Sequence, residues 1–377
     1  MLIKQTICSK ILNSLKNKFF LIGLIICTVI FAVSFYCTSR NEEFYNKDIA
    51  KVIQINIINS KISDMNGKSE SIKKQKIEAV IMNGKYKNQK IKLENVTSYS
   101  EVNDLNLKVN DEIFVSVYKN KEGQISAKLL DFKRDKYILR IAMVFVVFML
   151  IVGGYKGLRS LVSVTINVFI LVILVELFSH GANLTLLSII ASVLFILLSI
   201  LIVCGVSRKT LSSIVSTFIC TFVTMLIAIL IIKMRNWSGV HFEEMEFLTH
   251  PPESIFIIEL LIGTLGGIMD IAISISASLN EIYNKNLDID KKELIASGKE
   301  VGKDIMGTMT NTLVFAYVSG SIPIILLLMS NGYSISYIIN INLSLEIIRA
   351  LVGSIGIVLS IPISIYTSTA FLKDWRF

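Results

Sequence analysis

The chain has 377 residues, a net charge of +9 from 38 Lys+Arg and 29 Asp+Glu, and only 18% charged against 53% hydrophobic residues. With a mean hydropathy of +0.64, that composition excludes a water-soluble globule, whose charged fraction is roughly 25%. About half of the cations flank apolar runs, where they set membrane orientation, so nucleic acid is excluded as a partner. The five Cys are too few and too badly placed for a disulfide scaffold, because three of them lie inside apolar runs.

From the N-terminus, residues 1–18 form a basic leader with Lys4, Lys10, Lys16 and Lys18, and 19–37 an apolar anchor. Its exit, Ser34-Phe35-Tyr36-Cys37, puts bulky aromatics where a cleavage site needs small residues, so the anchor is read as uncleaved. Residues 38–136 are polar, rich in Lys and Asn, and alternate with period two at 51–57, 76–81, 90–93, 112–118 and 124–129. Five short strands with turns at Asn83-Gly84 and Glu122-Gly123 predict a small β-barrel-like domain, for which an oligonucleotide/oligosaccharide-type barrel is one compatible topology.

A hydrocarbon core of about 30 Å needs about 20 apolar residues per helix. Runs of that kind at 138–153, 158–178, 184–205, 210–232, 254–279, 309–330 and 345–371 make 137–377 a seven-helix membrane domain. The fold class is therefore an α-helical polytopic membrane protein of about eight transmembrane helices, with the β domain inserted after the first. Placing both termini in the cytoplasm puts about fifteen Lys and Arg in the inner short segments against two, Lys233 and Arg235, outside. That makes 38–136 extracytoplasmic and 280–307 a cytoplasmic loop.

Ionisable groups within spans are costly, so they are the sharpest functional pointers. In the 254–279 span, Glu259, Gly263, Gly267, Asp270, Ser274, Ser278 and Glu281 recur at helical spacing on one face. Asp270 lies about 16 Å beyond Glu259 along the axis. In the last span Glu346 and Arg349 stand at i, i+3 and are expected to pair. Asn311 and Thr312 bring an amide and a hydroxyl to the 309–330 span, which Gly320 and Pro323 interrupt. Glu176 is a further carboxylate, beside Ser179 and His180. The predicted polar pathway is thus Asp270, Glu259, Asn311, Arg349, Glu346, Ser274 and Glu176. The His and Glu residues of 241–250 match no zinc spacing and are read as a solvated loop. The chain has no phosphate-cradling Gly-Lys-Ser/Thr loop, nucleophile elbow or His-Glu-x-x-His, so the expectation is no enzyme, no cofactor and no metal.

Two stretches are distinctive as sequence: Gly263-Thr264-Leu265-Gly266-Gly267-Ile268-Met269-Asp270-Ile271-Ala272-Ile273-Ser274, and Gly298-Lys299-Glu300-Val301-Gly302-Lys303-Asp304-Ile305-Met306-Gly307-Thr308-Met309-Thr310-Asn311-Thr312-Leu313. Together with the Gly153-Gly154-Tyr155-Lys156-Gly157-Leu158 turn, they resemble the YibE/F-like family of bacterial multipass membrane proteins. The resemblance implies a bacterial cytoplasmic membrane and carries no catalytic residue with it. From the polar stripes, the expected role is a permease or transport component for a small solute or ion, with Asp270 at the base of a cavity. The alternative is a non-transporting scaffold or signalling partner that binds another envelope protein. Expected partners are the lipid bilayer and either an envelope protein or a second copy of the chain.

Overall fold

A computed structural model describes residues 18–63, 69–97, 104–119, 125–234, 241–242 and 251–373. The leader 1–17, the Glu122-Gly123 turn, the carboxylates of the 241–250 loop and Arg376 lie outside the described residues. The chain divides into two compact units, 1–158 and 159–377.

In the first unit, helix α1 (Lys18–Ser39) precedes five strands: β1 (Asp48–Ser63), β2 (Ser69–Ile81), β3 (Lys90–Thr97), β4 (Glu112–Lys119) and β5 (Ile125–Phe132). All five expected strands are present. They pair antiparallel in the order β3-β2-β1-β4-β5, and the two edge strands approach each other to give a nearly closed barrel. β3 shows why the pattern was readable, because Ile91, Leu93, Asn95 and Thr97 point inward while Lys90, Lys92, Glu94 and Val96 point out. Val52, Ile77, Ile91, Leu93, Ile113 and Val115 fill the interior. Its polar members are bonded: the Asn95 amide donates to Gln75 Oε1 at 2.9 Å, and the Gln75 amide donates to the Leu107 carbonyl at 3.3 Å.

The strands end at a buried charged joint. Lys133, whose side chain is 1% exposed, meets Glu112, 6% exposed, at 2.8 Å, and Lys136 meets the other Glu112 oxygen at 2.5 Å. Lys133 also lies 3.5 Å from Asp135, which accepts from the Tyr45 hydroxyl at 2.6 Å and the Asn41 amide at 3.0 Å. The same ammonium donates to the Thr38 carbonyl at 3.3 Å. Two lysines thus balance two carboxylates where α1, β4 and the next helix meet.

That helix, α2 (Asp135–Ser179), has 45 residues, about 67 Å at 1.5 Å per residue and more than twice the hydrocarbon thickness. The expected spans at 138–153 and 158–178 are its two arms. They are separated by Gly154 at φ 54, ψ −133, a conformation that other residues adopt only under strain.

The second unit adds α3 (Leu184–Cys204), α4 (Arg208–Met234), α5 (Pro252–Lys285), α6 (Lys291–Ser330) and α7 (Ser344–Lys373). Asn183 and Asp290 cap α3 and α6 by accepting from the first backbone N–H groups. Among the described residues, α2 to α7 are each long and apolar enough to cross a bilayer; with α1 and the two arms of α2 counted, the helical runs number eight. The core of this unit is α4, α5 and α7. Partners on α5 and α7 recur at a nearly constant offset, as in Glu259 with Arg349, Ile268 with Gly356 and Ser276 with Ser368, so these two helices run parallel.

α6 docks on α7 through glycines, and only Leu294, Gly298 and Gly302 of α6 are buried. At Gly302 an added Cβ would fall on Ile361 Cγ2, so backbone and side chain are in direct contact there. We expect Gly302→Val to lower stability by about 1–3 kcal/mol through overpacking. Gly307→Ala, where the same atom would meet open space, should be neutral or gain up to about 1 kcal/mol in helix propensity. Thermal melts of both variants in detergent check this, and equal melts would contradict the docking.

Candidate functional site

Three predicted residues converge near the start of α5 and α7. Arg349 lies at the centre. Its Nη1 donates to Glu346 Oε1 at 2.6 Å, one turn back on the same helix, and its Nη2 lies 3.0 Å from Glu259 Oε2 on α5. The side chains are 17%, 23% and 40% exposed for Arg349, Glu346 and Glu259. The guanidinium carbon stands 5.8 Å from the centroid of the fully buried Phe256 ring, within cation–π range. Phe242 meets that ring edge-on at 6.0 Å.

A fourth group comes from α6. The Tyr317 hydroxyl occupies the space where a Cβ on Gly263 would stand, so the glycine one turn beyond Glu259 admits a phenol between the helices. The charge count at the site is one cation against two anions, a net of −1. Arg349 Nε is shielded from solvent and has no hydrogen-bond partner among the described residues, whereas Glu259 Oε2, also shielded, is held by its ion pair with Nη2. One donor is thus left over beside two carboxylates, which is the chemistry of a site that can take a water or a small polar solute.

The other predicted residues lie elsewhere. Asp270 is exposed and makes no hydrogen bond or ion pair with any described residue. It sits on the flank of α5 opposite the buried Ile268, Ile271, Ala272 and Ile275. Ser274 is half-buried on the same helix. Asn311 is exposed on α6, and its neighbours Thr308 and Thr312 donate to their own backbone, to Ile305 at 2.9 Å and Thr308 at 2.8 Å. Glu176 is exposed on α2 and lies 3.9 Å from His180, just past the end of that helix.

Sequence reasoning missed a hydroxyl seam through the core. The Ser276 and Ser368 hydroxyls bond at 2.8 Å, and Ser368 donates to Ser212 at 3.3 Å, so one chain of three serines joins α5, α7 and α4. Ser213 donates to the Ala272 carbonyl at 3.4 Å, and the Cys220 thiol to the Gly356 carbonyl at 3.3 Å. Ser364 and Thr369 continue the seam, buried and without a partner among the described residues. The signal was present in α4, where Ser212-Ser213, Ser216-Thr217, Cys220-Thr221 and Thr224 return every four residues. They read as the polar side of an amphipathic helix, yet this is the face that is buried. In lipid, hydroxyl contacts of this kind are each worth about 0.6 kcal/mol on average, and they let helix backbones approach.

A family model described as YibE/F-like protein matches residues 141–374, and one described as the YibE/F family N-terminal domain matches residues 43–132. Searches of curated proteins and of solved structures gave no match.

Proposed function

For a chain that belongs to the YibE/F-like family, we propose the role of a membrane permease or transport component, in the bacterial cytoplasmic membrane with both termini inside. Arg349 with its two carboxylates is the polar centre of that role. The observation that carries the reading is the convergence of Glu259, Glu346 and Arg349 from two apolar helices with one negative charge in excess. A charge within a span costs a few kcal/mol even on lenient scales, and such residues mark ion or solute pathways. The excess charge favours a cation or a proton as the moving species. Asp270, a second acid along α5, extends the path toward the cytoplasmic side.

The test is flux into proteoliposomes, read with a pH-sensitive dye and with a panel of monovalent and divalent cations. Glu259→Gln should cut flux at least about tenfold, with a melting temperature closer to wild type than that of Arg349→Met, because Arg349 keeps its pair with Glu346. Full activity in that variant ends the transport reading. Asp270→Asn is expected to reduce flux as well; if it does not, the path excludes the exposed flank of α5.

One observation favours the rival role of a scaffold. β1 pairs with β4 only over Asp48 to Lys51, and beyond that it carries the exposed Ile53, Ile57 and Ile58, an edge suited to another envelope protein. Crosslinking that recovers one dominant partner, and loses it when 41–136 is removed, would favour that role over transport.

A further inference from the structure

A second site lies within the first unit, where the β domain runs into α2. A cavity of about 310 Å³ opens there, at the lower end of the ~300–1,000 Å³ range of small-molecule sites. Its lining is charged in both senses. Asp104 and Asp111 bring two carboxylates and Lys108 an ammonium from the segment that leads into β4, and Arg134 brings a guanidinium from the turn between β5 and α2. Two cations against two anions leave no net charge.

The Asp111 carboxylate is held in place, because Oδ2 accepts from the Lys108 backbone N–H at 2.7 Å and Oδ1 from the Tyr137 hydroxyl at 3.4 Å. Arg134 meets Asp131 at 3.3 Å with both side chains more than half exposed, a contact weak enough to be shared with a ligand. Phe132 and Tyr137 supply the apolar part of the wall, their ring centroids 5.6 Å apart.

Position and charge together select the occupant. The lining ends at Tyr137, and the next residue, Ile138, is largely exposed, as is Ile141 one turn on. These residues open the first apolar arm of α2, so the cavity lies at the level where that arm would pass from hydrocarbon to headgroups. Tyr is typical of that level and Arg reaches back to it, and the Arg140 guanidinium stands 5.5 Å from the Tyr137 ring centroid. A simple anion in the cavity would meet Asp104 and Asp111, and a simple cation would meet Lys108 and Arg134. A group that carries a phosphate and an ammonium a few ångströms apart meets an opposite charge at each end.

We propose that this cavity binds a phosphodiester bearing a primary ammonium, supplied by the bilayer as the headgroup of an aminophospholipid. Its phosphate oxygens accept from Lys108 and Arg134, its ammonium donates to Asp104 and Asp111, and its acyl chains run beside Ile138 and Ile141. The proposal shares with the transport reading only the premise that α2 spans the bilayer, and it makes no use of the Arg349 cluster.

The experiment uses the full chain with a benzophenone amino acid in place of Asn106, an exposed residue of the lining, in nanodiscs of equal parts phosphatidylethanolamine, phosphatidylcholine and phosphatidylglycerol. After irradiation, mass spectrometry of the adducts should show phosphatidylethanolamine about fivefold over each of the others, the preference expected for about one hydrogen bond. Phosphatidylcholine keeps both charges but has no N–H to donate, and phosphatidylglycerol has no cation. Asp104→Asn with Asp111→Asn should bring the three lipids to parity while the melting temperature stays near wild type, because Asn keeps an oxygen to accept from Lys108 or Tyr137. Lys108→Gln with Arg134→Gln should reduce the adducts of all three. If the Asn variant proves unstable, the preference of the wild-type chain decides alone. Adducts in the proportions of the bilayer, or a lead for phosphatidylglycerol, would overturn the proposal. Glycerophosphoethanolamine, added at millimolar concentration to nanodiscs of phosphatidylglycerol alone, tests the soluble source. It should give few adducts; adducts as abundant as those of phosphatidylethanolamine would overturn the assignment to a lipid.

Discussion

Replacing Arg349 with Met should lower the stability of the protein by about 2–4 kcal/mol, measured as a fall in melting temperature in detergent. Breaking a fully buried ion pair from one side costs about 3–5 kcal/mol, because a charge is left without compensation. Here Glu259 is 40% exposed, so solvent screens part of the loss and the lower range applies. The variant leaves two carboxylates and no cation, a local charge of −2. Adding Glu346→Gln returns it to −1 and should recover a good part of the loss. Arg349→Lys keeps the charge but not the planar fork that serves Glu346 and Glu259 together, so an intermediate melt is expected. The required order is wild type, Arg349→Lys, Arg349→Met; a Met variant as stable as wild type would show that the guanidinium does not hold α5 to α7.

In the first unit, Lys133→Met should cost about 3–5 kcal/mol, since Glu112 stays buried with Lys136 as its remaining cation. The double variant Lys133→Met with Glu112→Met should be far milder, because replacing both members of a buried pair by apolar side chains is often close to neutral. The joint also sets a pH response. Burial pushes the Glu112 carboxyl up, but the hydrogen bonds and charges of Lys133 and Lys136 outweigh it and hold the group below its usual value. Asp135 behaves likewise, with burial opposed by Tyr45, Asn41 and Lys133. Both depressed carboxylates therefore contribute stability that is fully present above the ordinary carboxylate range, about pH 4, and is lost as the pH falls through their lowered values.

At the alkaline end, the hydrogen bond to Asp135, burial and the Asp135 charge push the Tyr45 hydroxyl up to about 12. Its contribution is complete below about pH 10, the unperturbed tyrosine value, and disappears as the pH rises toward 12. Circular dichroism of the β bands from pH 7 to 2.5 should show the acid loss in the wild type. Tyr45→Phe should remove the late phenol titration and, because it takes away one of the hydrogen bonds that hold Asp135 low, shift the Asp135 part of the acid loss to higher pH while leaving the Glu112 part in place.

Much of the architecture could be read in one dimension. The long apolar runs bounded by charge mark helices, because a bilayer-spanning segment must satisfy its own backbone. Alternation marks strands because successive side chains point to opposite faces. The Glu346 to Arg349 contact was legible since three residues on a helix bring side chains together. The third member was not: Glu259 and Arg349 meet through tertiary packing, and nothing in either local sequence names the other. The stripe from Glu259 through Gly263 and Gly267 to Asp270 has true helical spacing, but period alone does not say which flank a neighbour covers. Gly263 and Gly267 are occupied by Tyr317, Ile357 and Leu313, whereas Asp270 remains exposed.

The sequence on its own settled the segment types, the order of a small β domain and a helical domain, and the length and apolar character of the helices, because each follows from hydropathy and period within a short window. Only the tertiary structure decided that α4 buries its hydroxyl face, that Lys133 pairs with Glu112, and that Arg349 answers two carboxylates at once. Those outcomes depend on which surfaces meet. Side chains distant in the chain were matched there by size, hydrogen bonding and charge, and a local pattern carries no record of its partner.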